Sequence, residues 1–97
     1  MQSGHPRVVS IITALRHEDQ VIAVMPYFKH QDFRDYYLDL SHDEINRYMK
    51  TLLEAMAYIH DRWIIHRDVK PSNFLYSRTK RRGVLVDFGL AQVFKFI

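Results

Sequence analysis

The 97-residue sequence has no cysteine, which excludes disulfides, thiolate zinc sites and iron–sulfur clusters. Its three glycines stand at 4, 83 and 89, so a phosphate-covering loop of the G-x-G-x-x-G kind is excluded as well. No apolar run approaches the roughly twenty residues that a membrane-spanning helix needs, and the opening MQSGHPRVVS has no apolar signal-peptide core. No membrane association is expected. The six histidines include no helical His-x-x-x-His pair, which argues against a histidine metal site. Charge of neither sign dominates: the net charge is +3, and the densest basic cluster is Arg78, Lys80, Arg81 and Arg82. Such a cluster reads as a solvated turn between two strands rather than a nucleic-acid patch, so direct nucleic-acid binding is not expected.

What is present is the composition of a folded protein, 47% hydrophobic and 26% charged. The length suits one small domain, or a piece of a larger one, of marginal stability alone. Val8 to Leu15 and Val21 to Met25 are apolar and β-branched, and the polar RHEDQ between them reads as a hairpin connection. Pro26 ends the second strand, having no N–H for a ladder. Ser41 begins a helix: in SHDE, the Ser41 hydroxyl can accept from the Glu44 N–H while the Glu44 carboxylate reaches back to Ser41. Ile45, Tyr48, Met49, Leu52, Leu53, Met56 and Ile59 or His60 then form its apolar face, with Arg47, Lys50, Thr51 and Glu54 opposite. Short strands are expected over WII, FLY and GVLV, so the polar run HRDVKPSN lies on a loop anchored at both ends.

That loop carries chemistry. Transfer of a phosphoryl group from a nucleotide needs Mg²⁺ on hard oxygen ligands, which Asn73 and Asp87 can supply. It needs a cation near the phosphate, which Lys70 offers, and a carboxylate beside the attacking hydroxyl, for which Asp68 is the candidate. Gly89 would let the chain turn tightly after Asp87. His66 and Phe88 read as packing residues.

HRDVKPSN and DFG resemble the catalytic loop and the metal-binding turn of protein kinases, and Lys70, two residues after Asp68, is the serine/threonine form. The resemblance implies ATP and Mg²⁺ as cofactors, Asp68 as catalytic base, Lys70 on the γ-phosphate, and Asn73 and Asp87 on two metal ions. GHPRVV is similar to the approach to the fourth strand of a kinase small lobe, and VIAVMPYF to the fifth strand and hinge. By that likeness Met25 is the gatekeeper, backbone groups of Pro26 and Phe28 bind adenine, and Leu75 forms its floor. The implied fold is α+β, a partial kinase-like fold. Residues 1–25 would be small-lobe strands, 26–40 the hinge with its adjoining segment, 41–92 the large-lobe helix, catalytic loop and DFG turn, and 93–97 an atypical tail.

VMPYF, HRDVKPSNFLY and DFGLAQ together resemble the cell-division-cycle kinases of replication origins, the catalytic half of the Dbf-dependent kinase; the casein-kinase-one-like group is the second choice. The closer resemblance implies an intracellular, nuclear enzyme of the cell cycle and of DNA replication initiation. It would act on Ser/Thr hydroxyls of protein substrates such as replicative helicase subunits, with a Dbf-type regulatory partner.

The phosphate-covering loop, the third-strand lysine with its helix glutamate, and an A-P-E sequence are not in this stretch. The expectation is therefore a fragment from a truncated or mis-spliced gene, inactive by itself. A non-catalytic module binding the kinase's regulatory partner is the alternative reading, and a nucleic-acid domain resting on SRTKRR is the third.

Overall fold

The computed structural model describes residues 5–10 and 13–93. Its elements run β1 (Thr13–His17), β2 (Gln20–Val24), α1 (Phe33–Tyr36), α2 (His42–Asp61), β3 (Ile64–Ile65), β4 (Phe74–Ser77), β5 (Arg82–Leu85) and β6 (Gln92–Val93), with single 3-10 turns at Tyr37–Asp39 and Pro71–Asn73. The strands pair as three antiparallel ribbons among the described residues: β1 with β2, β3 with β6, and β4 with β5. The arrangement is the expected α+β one. The end of the apolar tail, 94–97, lies outside the described residues, as do Gly4, Ile11 and Ile12.

The expected capping box is present. Glu44 N–H donates to Ser41 Oγ at 3.2 Å, and Ser41 N–H donates to Glu44 Oε1 at 3.3 Å. Glu44 also receives a two-pronged contact from Arg78, Nε to Oε2 at 2.9 Å and Nη2 to Oε1 at 3.0 Å. The Arg78 guanidinium, and then the Ser41 N–H, hold the Glu44 carboxyl below its ordinary range. One carboxylate thus starts α2 and ties it to the β4–β5 turn.

Between α2 and the β4–β5 ribbon lies the core: Tyr36, Tyr48, Ala55, Ile59, Phe74, Tyr76 and Leu85. Its centre is aromatic, with Tyr48 5.0 Å from Tyr76 and 5.2 Å from Phe74, edge-on to the latter. Gly83 makes room for it. A Cβ there would fall 2.3 Å from Phe74 Cζ, inside any van der Waals contact.

The buried face of α2 differs from the one the spacing suggested. Thr51 and Ala55 are buried beside Tyr48 and Ile59, while Ile45, Met49 and Leu53 are exposed. Small side chains let α2 approach the aromatic ribbon closely, and Thr51 satisfies its hydroxyl by donating to the Tyr48 carbonyl at 3.0 Å. Hydrophobicity alone ranked Thr51 as outward.

The N-terminal strands also differ. Val8 is not in the hairpin but in an isolated parallel bridge to Leu85. Val9 N–H donates to the Leu85 carbonyl at 3.0 Å, and Leu85 N–H to the Arg7 carbonyl at 2.7 Å. Leu85 is completely buried, so its backbone groups must find protein partners, and residues 7–9 supply them. Arg16, His17 and Gln20, expected as loop, belong to β1 and β2. The connection shrinks to Glu18 and Asp19, with Glu18 at φ 56°, because the ladder continues as far as a two-residue turn allows. Every residue of β2 is exposed. That open ribbon contributes to a radius of gyration of 14.8 Å, against ~12.5 Å for a compact domain of this length.

Burial, then the neighbouring Tyr48 and Tyr76, push the Tyr36 hydroxyl up to about 12, and burial raises Tyr48 and Tyr76 as well. A phenol raised in the folded state stabilises fully below its unfolded value of about 10, and that contribution is lost as pH climbs through the folded value. The helical circular dichroism of the chain is expected to collapse between about pH 10 and 12, and Tyr36→Phe to move the collapse to higher pH. A transition unmoved by Tyr36→Phe would contradict this.

Candidate active site

The polar loop is fixed by backbone hydrogen bonds before its side chains act. Asn73 N–H donates to the Lys70 carbonyl at 2.9 Å, closing the 3-10 turn that Pro71 starts, and Val86 N–H donates to the Asn73 carbonyl at 2.9 Å. His66 is buried, and its Nδ1 accepts from the Asp68 N–H at 3.1 Å. Nε2 therefore carries the proton and donates to the Val86 carbonyl at 2.8 Å. The Val86 peptide is held on both sides, by Asn73 and by His66, and the next residue is Asp87. His66, expected only to pack, is the link between the two polar motifs; its place between apolar IIs and a charged run was the available signal. Its ring also meets Phe88, centroids 4.7 Å apart.

Within the loop, Asn73 Nδ2 donates to the Asp68 carbonyl at 2.9 Å and to Asp68 Oδ2 at 3.0 Å. Lys70 Nζ stands 3.7 Å from Asp68 Oδ1, with the lysine side chain 54% and the aspartate 29% exposed. The structure thus brings Asp68, Lys70 and Asn73 together. Arg67 sits at φ 72°, a left-handed conformation that costs a non-glycine residue about 1–3 kcal/mol and is maintained by the bonds on either side. The anchoring strands are unequal. β4 is buried at Phe74, Tyr76 and Ser77, whereas β3 is half-buried at Ile64 and exposed at Ile65.

At the DFG turn the left-handed residue is Asp87, at φ 62°, and not Gly89. Aspartate tolerates that region better than most residues. Gly89 serves by proximity: its N–H donates to Asp87 Oδ1 at 3.3 Å, and a Cβ on it would come within 3.2 Å of the same oxygen.

Asp87 and Met25 line one cavity of about 760 Å³, with Val8, Ala23, Ile64 and Phe88 on its walls. Leu75 lines a second, of about 530 Å³, with His30, Asp32, Phe33, Arg34 and Ser72. Pro26 and Phe28 line neither. The residues expected around adenine are therefore not gathered into one pocket. The Phe28 carbonyl accepts from His30 Nδ1 at 2.9 Å, and its ring lies beneath Lys80 and Arg82. These contacts place Phe28 against the β4–β5 turn.

Among the described residues no three His, Cys, Asp or Glu side chains converge on a common metal position. A magnesium nucleotide needs no such cluster, since Mg²⁺ keeps water and phosphate oxygens and takes only one or two protein ligands. The donors present fit that requirement. Both amide hydrogens of Asn73 go to Asp68, which leaves the amide oxygen for a cation. Asp87 brings a carboxylate on an exposed turn tied to Asn73 through Val86.

Comparison with known proteins matches this arrangement. The model of the protein kinase domain matches residues 1–96. The chain belongs to the protein kinase family. It is 48% identical over 89 residues to the cell cycle protein kinase spo4 of Schizosaccharomyces pombe, and 49% to the cell cycle serine/threonine-protein kinase hsk1 of the same yeast. Identity to the human cell division cycle 7-related protein kinase is 46% over the same length. Each match covers 92% of this chain but only 21%, 18% and 16% of the relative, respectively. The resemblance to cell-division-cycle kinases carried by VMPYF, HRDVKPSNFLY and DFGLAQ is thereby borne out. Loop, turn and helix of this kinase segment correspond to the partial kinase fold that the sequence implied.

Since the buried His66 ring supplies a donor to Val86 and an acceptor to Asp68, His66→Ala is expected to destabilise the chain by about 2–4 kcal/mol in urea unfolding, a cavity opening where the ring packed and two half-buried backbone groups losing their partners. Asp68→Asn, at a partly exposed position, should shift the same midpoint by less than about 1 kcal/mol. Equal effects would refute the ranking.

Proposed function

We propose that residues 5–93 form the catalytic loop, metal-binding turn and hinge of an ATP-dependent serine/threonine protein kinase, transferring the γ-phosphoryl group to Ser or Thr hydroxyls of proteins. The observation that carries this reading is the joint positioning of Asp68 by Asn73 and Lys70. The Asn73 amide fixes Oδ2, leaving Oδ1 as the oxygen that orients a substrate hydroxyl and accepts its proton. Lys70 is held loosely at 3.7 Å, so its ammonium can turn to a phosphate oxygen without breaking a strong pair. Asn73 Oδ1 and the Asp87 carboxylate would hold Mg²⁺, which when bound neutralises phosphate charge. The sharing of Asn73 between base and metal keeps the two in step. Met25 at the cavity wall and Leu75 on β4 would flank adenine once the hinge backbone of Pro26 and Phe28 lies against it.

The wider role rests on the likeness to proteins named as cell cycle kinases. It comprises action in the nucleus at replication initiation on helicase subunits, under a Dbf-type activator. A non-catalytic module is the second reading, supported by the exposed stripe of Ile45, Met49 and Leu53 on α2.

A chimera in which residues 5–93 replace the matching segment of hsk1 separates the two. It is expected to phosphorylate a protein substrate, and Asp68→Asn in it to lower kcat by about 10²–10⁴ with little change in nucleotide KM. The isolated chain is expected to show no transfer, since positioning and charge neutralisation supply most of the rate. A chimera that binds the activator yet transfers no phosphate would favour the module.

A further inference from the structure

The basic cluster of the β4–β5 turn divides in two. Arg78 is consumed by Glu44 and lies 5.6 Å over the Tyr36 ring; its role is to hold the fold. Lys80, Arg81 and Arg82, together with Lys29 beside the hinge, have no carboxylate partner among the described residues. Two of the acids near the hinge and the turn are already engaged, Asp32 by Arg34 at 3.1 Å and Glu44 by Arg78 at 2.9 Å, and Asp39 acts on Arg78. Lys80 and Arg82 thus share one face at the Phe28 ring, with Arg81 between them and Lys29 next to Phe28 in the chain, and none of the four is in an ion pair among the described residues.

The patch is also rigid. Arg81 N–H donates to the Ser77 carbonyl at 2.7 Å and Lys80 N–H to Ser77 Oγ at 3.1 Å. Lys80 Nζ and Arg82 Cζ rest 5.3 and 5.8 Å from the centroid of the Phe28 ring, which holds two long side chains in place. Arg81 occupies φ 59°, where glycine or asparagine would be cheapest. A turn that needed only to connect two strands would have little use for arginine there.

We infer that this face, Lys80 to Arg82 with Lys29 and Phe28, docks an acidic peptide segment of a partner protein. Preordered cations lose little side-chain freedom when carboxylates arrive, and their unpaired charge steers such a segment in. A single-stranded nucleic acid fits less well. It requires open aromatic platforms, and the Phe28 ring is occupied by the cations. The surface is independent of the catalytic loop, so it stands whether or not the chain transfers phosphate.

The test is fluorescence anisotropy of the 97-residue chain with four labelled probes: a short oligoglutamate peptide, its phosphoserine-containing version, its oligoglutamine analogue and a single-stranded oligonucleotide. The acidic peptides are expected to bind and to weaken as salt rises, and the glutamine analogue not to bind. Lys80→Glu with Arg82→Glu should weaken acidic-peptide binding about tenfold or more. Arg81→Gly, which removes a charge while suiting the left-handed backbone, should weaken it about threefold. Arg47→Glu, an exposed charge reversal on α2, should leave it unchanged. Preference for the phosphoserine peptide would identify a phosphorylated segment as the source of the acid. Equal binding of the glutamine analogue, affinity unmoved by both turn variants, or tighter binding of the oligonucleotide would overturn the inference.

Discussion

A buried imidazole holds the two polar motifs of this chain in register. His66 accepts from the backbone of Asp68 on one side and donates to the carbonyl of Val86 on the other, while Asn73 takes the N–H of the same Val86. Asp68 and Asn73 share one loop, whereas Asp87 comes from a separate stretch of sequence. The loop and the turn are held together because both backbone groups of one residue, Val86, are bonded to the loop, its N–H to Asn73 and its carbonyl to His66. The dry surroundings matter as much as the bonds, since a buried donor or acceptor without its partner costs the full desolvation penalty. That penalty allows the loop to keep Arg67 and Asp87 in left-handed conformations.

Beneath the loop the stabilising material is aromatic and the fastening is ionic. Tyr48, Phe74 and Tyr76 fill the space between α2 and the β4–β5 ribbon, and the Glu44–Arg78 pair closes its far end. This lower half is coherent. The β1–β2 ribbon, exposed throughout β2, makes no equivalent contribution. The segment between β2 and α1 makes its own local contacts, with His30 on the Phe28 carbonyl and two cations on the Phe28 ring. The contacts on the Phe28 ring also hold Lys80 and Arg82 on one face.

Local signals were legible where chemistry acts over a few residues. The Ser41–Glu44 capping box, the short strands around FLY and GVLV, and the His-Arg-Asp and Asp-Phe-Gly motifs were all visible in the sequence. Harder to see was any feature set by packing between distant segments. Thr51 reads as polar and outward, yet it is buried, its hydroxyl satisfied by the Tyr48 carbonyl one turn back. Val8 reads as a strand partner for Val21 to Met25, yet it bridges Leu85, whose backbone would otherwise be buried without partners. Gly89 looked like the residue needed for a turn, whereas Asp87 adopts the unusual backbone and Gly89 supplies room.

Residue types and their spacing alone showed that this chain carries the His-Arg-Asp loop and the Asp-Phe-Gly turn of the protein kinase family, because each motif is contiguous. Tertiary structure alone decided that His66 joins them through Val86, that Glu44 serves both a helix cap and a distant arginine, and that the basic turn separates into one structural arginine and three unpaired cations. The first two depend on contacts between residues 20 and 34 positions apart in the sequence, and the third on which carboxylates the fold brings within ion-pair distance among the described residues. No local pattern encodes either condition.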